Sequence, residues 1–200
     1  EVKNTPNASS ASVAELVIGH MFNLARFIHS SNITLRQGQW NKKKYEGIEI
    51  FNKTLGVVGF GRIGKETADK AAALGMNVVY TDIMGEIKGC KYKYLPMNEL
   101  LRISDFVTIH VPYSGGKAVI GQKEIGGVVD ENALLEALNN NKLAGAAIDV
   151  FAEEPAKNCP LCMSDKVSCT PHIGGSTHEA QGRIGDEIVE IVFNYMKECA

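Results

Sequence analysis

The chain has almost no net charge, no long apolar run and few cysteines. Lysine and arginine total 21 against 23 aspartate and glutamate, a formal net charge of -2 over 200 residues. That balance gives no electrostatic case for a nucleic-acid partner or an anionic membrane surface. The one basic run, Lys42-Lys43-Lys44, reads as a solvated face. No apolar stretch approaches the roughly 20 residues that span a bilayer, so no membrane partner is expected. Residues 1–12 lack a basic leader and an apolar core segment, so they are not expected to be a signal peptide. Five cysteines, an odd number, fit reduced thiols in a cytoplasmic protein better than a disulfide framework. What remains is an ordinary globular composition. A hydrophobic share of 44% suits one domain, or one domain plus part of another.

Ser12 and Glu15 make an S-x-x-E capping box. Val13, Leu16, Val17, Met21, Leu24, Phe27 and Ile28 follow at helical spacing, which predicts a helix to about Ser30. The polar stretch 36–50, with Trp40, reads as an irregular arm. From Thr54 onward strands and helices alternate. Apolar runs predict strands over 55–60, 76–81, 106–111, 143–150 and 166–169, with helices over 63–74, 97–102 and 132–140. A long amphipathic helix follows over 176–196, capped by Ser176 with Glu179 three residues on. This alternation implies an α/β fold with a doubly wound parallel sheet. One place breaks the rhythm. A short helical piece near 122–125 runs straight into a Gly-Gly pair and the next helix, with no strand between them. Ile125-Gly126 is therefore expected to be a discontinuity from which a segment is missing.

Gly59-Phe60-Gly61-Arg62-Ile63-Gly64 directly follows an apolar strand and opens a helix, the context of a Rossmann dinucleotide loop. Gly59 permits the tight turn, Gly61 lets the backbone approach a pyrophosphate, and Gly64 lets helix and strand pack closely. The phosphates would meet free N–H groups at the helix N-terminus. A glycine-rich turn without a ligand is the plain alternative. Asp82 lies eighteen positions after Gly64, at the end of the second strand. A carboxylate there accepts from both adenosine ribose hydroxyls and repels a 2′-phosphate, favouring NAD over NADP. The alternative is an aspartate that merely caps its own turn.

The remaining chemistry sits late. His172 lies in the Thr170-Pro171-His172-Ile173-Gly174-Gly175 loop just past a strand, with Glu153-Glu154 upstream as a pair that could orient it. Spacing alone leaves a loop histidine without a role as an equal alternative. Cys159-x-x-Cys162 and Cys169-x-x-His172 invite a zinc reading, but their order matches no reliable zinc pattern, and no metal is expected. Redox chemistry at the CxxC lacks a thioredoxin-like context.

The glycine loop, His110-Val111-Pro112, 129–134, 145–151, Glu154-Pro155 and 170–177 together resemble the D-isomer-specific 2-hydroxyacid dehydrogenases, in the right order through nearly the whole chain. Within that family, 54–64 and 176–181 look most like the members that oxidise D-3-phosphoglycerate. The resemblance implies that His172 is the general acid/base and that Glu154 pairs with it and raises its pKa. It implies that Arg62 and Ile63 touch the pyrophosphate and that His110, Val111 and Pro112 line the adenine side. Asp149 would sit near the nicotinamide, with Gly174 and Gly175 bordering it. The expected partner is a small phosphorylated 2-hydroxy acid. The helix and arm over about 10–50 would form the contact of a homodimer or a dimer of dimers. The family's carboxylate-binding arginine is missing where Ile125 precedes Gly126-Gly127. Its substrate-domain portion, roughly a hundred residues, has no counterpart before Thr5. The chain is thus expected to be the NAD-binding domain, with the helix over about 176–198 crossing back, and not to turn over by itself. A non-enzymatic alternative also stands: NAD-binding corepressors share this fold and use the cofactor to drive dimerisation. A dehydrogenase for glycerate or hydroxypyruvate is the other.

Overall fold

A computed structural model describes residues 3–5, 7–112 and 128–198. The expected helical piece at 122–125, the Ile125-Gly126 discontinuity and the Gly126-Gly127 pair lie outside the described residues. Six helices and six strands are described: α1 Ser10–Arg26, α2 Ile28–Arg36, β1 Thr54–Val58, α3 Arg62–Ala73, β2 Asn77–Thr81, β3 Lys93–Tyr94, α4 Met97–Ile103, β4 Phe106–Ile109, α5 Glu131–Asn139, β5 Ala146–Ile148, β6 Val167–Cys169 and α6 His178–Glu198. All strand pairs are parallel. The order β3-β2-β1-β4 forms one sheet, and β5-β6 forms a second ladder. Among the described residues no ladder joins β4 to β5.

The first sheet is covered on both faces, which makes it doubly wound. Leu55, Val57 and Tyr80 pack with Met21 and Ala25 of α1 and Ala68 and Ala71 of α3. Their neighbours in the strands, Val58 and Val79, pack with Leu95 and with Leu100 of α4. Strand side chains alternate faces, so one apolar run serves two layers. Each fully buried leucine here, such as Leu55 or Leu100, contributes about 2 kcal/mol through apolar burial. Gly56 is required by that closeness. A Cβ there would sit 2.5 Å from Leu100 Cδ2 and 2.4 Å from Ser104 Oγ.

Three expectations need correction. The first helix does not run to Ser30. It ends at Arg26, because Phe27 takes a left-handed conformation (φ 53) and donates its N–H to the Asn23 carbonyl, and α2 restarts at an angle of 61°. Nor does Ser12 cap α1. The helix begins at Ser10, and Ser12 is buried with its hydroxyl 2.8 Å from Thr177 Oγ1 and within reach of Arg183. At α6 the cap is Thr177 and not Ser176, since Thr177 Oγ1 accepts from the Ala180 N–H at 3.1 Å. No single helix among the described residues is long and apolar enough to cross a membrane. The bent pair α1–α2 passes the same length and composition test only when joined, and α1 buries Met21 and Ala25 in the core.

Candidate functional site

The predicted site residues fall into two groups, each beyond the C-terminal ends of parallel strands, where open α/β sheets bind ligands. The first gathers around β1, β2 and β4. Gly59 has φ +88, and a Cβ on it would meet the His110 carbonyl at 2.6 Å. Gly64 opens the buried face of α3, and a Cβ there would lie 2.2 Å from the Gly59 carbonyl oxygen. Gly61 differs. Among the described residues nothing lies within 4 Å of the Cβ it lacks, so none of them demands a glycine there. A ligand pressed against the backbone would demand one, and a pyrophosphate is such a ligand. α3 begins at Arg62 without a side-chain cap, which leaves the first-turn N–H groups of Arg62 and Ile63 available. These residues fit a dinucleotide.

Asp82 joins the loop to β2. One carboxylate oxygen accepts from the Phe60 N–H at 2.7 Å, the other from the Met84 N–H at 2.9 Å. The turn-capping role is therefore present, and a carboxylate has about four acceptor positions, so capacity remains for ribose hydroxyls. Asp82→Ala is expected to weaken NADH binding by roughly 10- to 100-fold, the worth of hydrogen bonds to a charged group. It should also narrow the preference over NADPH. Fluorescence titration with both nucleotides checks this, and unchanged affinities would remove Asp82 from the site.

His110 turns beneath the glycine loop. Its Nε2 lies 2.9 Å from Thr108 Oγ1 and 3.4 Å from Thr67 Oγ1 of α3. Val111 is half-buried and Pro112 exposed, so the outward surface of this segment begins after the histidine. Burial pushes the His110 imidazole down to about 4. The unfolded chain binds a proton near pH 6.5 that the folded chain refuses until about pH 4. The His110 contribution to stability is therefore flat above pH 6.5 and falls by about 3 kcal/mol between pH 6.5 and 4. His110→Gln should flatten that part of the dependence in urea unfolding at pH 7 and pH 4.5. An unchanged slope would show that other groups carry it.

The second group lies beyond β5 and β6. His172 has φ 54, and its Nδ1 is 2.7 Å from Glu154 Oε2. The other Glu154 oxygen accepts from the Phe151 N–H at 3.0 Å. The hydrogen bonds from His172 and Phe151 hold the Glu154 carboxyl below its ordinary range. An ionised carboxylate only accepts, so Nδ1 carries the proton and Nε2 is left for a ligand. Asp149 organises the loop. It accepts from Thr170 Oγ1 at 2.6 Å and from the N–H groups of Ile173 and Gly174 at 2.9 and 2.8 Å. Burial raises its pKa, but these three bonds and nearby His172 outweigh burial and lower it. Gly174 and Gly175 lie against α1. Their missing Cβ atoms would come within 3.2 Å of a Val13 methyl and 3.4 Å of Ser9 Cβ. No described contact links this group to the glycine loop.

Thr170 and His20 were not singled out from sequence. Thr170 carries a β6-end hydroxyl in a stretch read only for its histidine, and His20 lies on an apolar helix face with no motif around it. Among the described residues no group of three or more His, Cys, Asp or Glu is arranged to hold an ion. Burial, then the neighbouring Cys159 and Cys169 thiols, push the Cys162 thiol up to about 12.

The family model described as D-isomer specific 2-hydroxyacid dehydrogenase, NAD binding domain, matches residues 18–125 and 125–174. D-3-phosphoglycerate dehydrogenase of Methanocaldococcus jannaschii is 42% identical over 208 aligned positions, which take in 94% of this chain and 40% of that protein. Hydroxypyruvate reductase of Thermotoga maritima is 39% identical over 96% of this chain and 69% of its own. NAD-dependent formate dehydrogenase from Staphylococcus aureus, solved in complex with NAD, superposes with a TM-score of 0.81 at 28% identity, over 96% of this chain and 63% of that one. The chain thus spans about two-fifths of the length of the first of these relatives.

Proposed function

Because the chain belongs to the D-isomer specific 2-hydroxyacid dehydrogenases and carries their NAD-binding domain, we propose that the whole protein oxidises a D-2-hydroxy acid with NAD. The first candidate substrate is 3-phosphoglycerate, giving 3-phosphohydroxypyruvate, the first step of phosphorylated serine biosynthesis. The observation that carries the reading is the Glu154–His172 pair, held at 2.7 Å with Nε2 unpartnered among the described residues. Bound NAD supplies the hydride acceptor. His172 Nε2 takes the proton of the C2 hydroxyl, and Glu154 stabilises the imidazolium that forms. Gly59, Gly61, Gly64, Arg62 and Ile63 hold the pyrophosphate, and Asp82 the adenosine ribose. Val111 and Pro112 border the adenine, with His110 supporting the loop from below. Asp149, Gly174 and Gly175 border the nicotinamide.

Hydroxypyruvate or glycerate is the second substrate reading, favoured by the 39% identity to a hydroxypyruvate reductase. We also read residue 125 as a join from which a strand and the carboxylate-binding arginine are absent. The family match is divided there, and β4 and β5 are not paired with each other. A homodimer is the assembly proposed, supported by exposed Phe27 at the α1–α2 break and exposed Ile33, Leu35 and Trp40 on α2 and the arm. A cytoplasmic setting is supported by the unpaired thiols of Cys90, Cys159, Cys162 and Cys169.

The test is NADH formation by the intact protein with NAD and, in turn, 3-phosphoglycerate, D-glycerate and other D-2-hydroxy acids. The highest kcat/KM should fall on 3-phosphoglycerate. Binding of NADH with no oxidation of any of them would sink the reading in favour of a cofactor-driven dimerisation module.

A further inference from the structure

α1 sends one buried polar side chain, His20, towards the ends of β5 and β6. Its Nδ1 lies 2.7 Å from Ser168 Oγ and its Nε2 lies 3.1 Å from Thr170 Oγ1. Two neighbours fix how the protons run. Thr170 has one hydroxyl proton and donates it to Asp149, so its oxygen must accept from His20. Asn23 Nδ2 donates to Ser168 Oγ at 2.7 Å, which leaves the Ser168 proton for the imidazole. For a neutral imidazole one arrangement satisfies every member: Nε2–H donates to Thr170, and Nδ1 accepts the Ser168 proton. Burial, partly opposed by the Asp149 charge, lowers the His20 pKa, in keeping with the neutral state.

We propose that His20 is a positioning residue that, through the Thr170 hydroxyl, holds Asp149 in the orientation that receives the Ile173 and Gly174 N–H groups. The loop it fixes contains His172 in its left-handed conformation. A protonated His20 would also donate to Thr170, but Ser168 would then accept from both Asn23 and Nδ1–H and its own proton would have no partner among the described residues. Of the two neutral tautomers, only the Nε2–H form carries the relay. The inference rests on the proposed roles of Asp149 and His172, but its geometry does not depend on the substrate.

The tests need no turnover. In the nitrogen-15 spectrum of the intact protein, the imidazole signal lost in His20→Gln should be that of an Nε2–H tautomer with Nδ1 accepting. The amide signals of Ile173 and Gly174 should shift in His20→Leu. They should stay near their wild-type positions in His20→Gln, whose side-chain N–H still reaches Thr170. NADH affinity should fall about 5- to 10-fold in His20→Leu and less than about 2-fold in His20→Gln, the loss of one hydrogen bond to a polar relay. Thr170→Val should reproduce the loss and add nothing to His20→Leu. An Nδ1–H tautomer, or unmoved Ile173 and Gly174 signals in His20→Leu, would overturn the inference. If the wild-type protein fails to bind NADH, the proposed function falls, and the tautomer and amide signals still decide the role of His20.

Discussion

His172→Ala in the intact protein is expected to lower the rate of NADH formation by about 10²- to 10⁴-fold, the usual worth of a positioned general base. NADH affinity should stay within a few-fold of wild type. The expectation comes from the separation of two roles. The glycine loop and Asp82 lie at β1 and β2, whereas His172 stands beyond β6 and shares no described contact with them. Its Nδ1 is committed to Glu154, which is itself tied to the Phe151 amide. The imidazole therefore cannot rotate freely, and Nε2 is the ring nitrogen left without a partner among the described residues. Stopped-flow binding alongside steady-state turnover separates the two effects. A loss of affinity as large as the loss of rate would mean that His172 shapes the cofactor site and does not handle the proton.

Gly64→Ala should be the most damaging change outside that loop. The added methyl would lie 2.2 Å from the Gly59 carbonyl oxygen and 3.2 Å from Val57 Cγ1. The first of these is backbone inside a turn that already has φ +88, so it cannot step aside as the tip of a side chain would. Relief requires α3 to move away from β1, against Ala68 and Ala71 in the core. Overpacking of this kind costs about 3 kcal/mol, and the displaced loop should lose NADH binding as well. Urea unfolding and NADH titration measure the two losses. A variant of wild-type stability would show that α3 does not pack on the loop as closely as described.

Much of this arrangement was legible because the chemistry repeats a local pattern. Apolar runs bounded by turns marked β1, β2 and β4, and the glycine spacing marked the loop. β3 was not legible. Lys93–Tyr94 is two residues long, half polar, and exists because its backbone extends the edge of β2. The break at Phe27 was hidden for a different reason. The apolar spacing runs through Phe27 and Ile28 without interruption, and a left-handed residue there is set by tertiary bonds. Asn23 Oδ1 accepts from His29, and Ile48 donates to Ala25 from the distant arm. Spacing offered His172 only the Glu153-Glu154 pair upstream, and the resemblance to the dehydrogenase family marked Glu154 as its partner. His20 could not be paired from sequence, because its partners Ser168 and Thr170 are ordinary polar residues 148 and 150 positions away. Only the fold gathers them.

Phe60, the residue between the first two loop glycines, has a further consequence. It is 3% exposed, stacks on Tyr80 with ring centroids 4.1 Å apart, and meets Tyr92 edge-on at 5.9 Å. A loop that is otherwise glycine-rich is thereby riveted to the sheet by an aromatic side chain. The loop backbone is held in one shape by its own packing, so a phosphate bound there as proposed would cost it little conformational freedom. On the proposed assignment of this loop, nucleotide capture would be a docking onto a finished surface, with an encounter rate expected to follow diffusion and orientation and not a loop that must first find its shape.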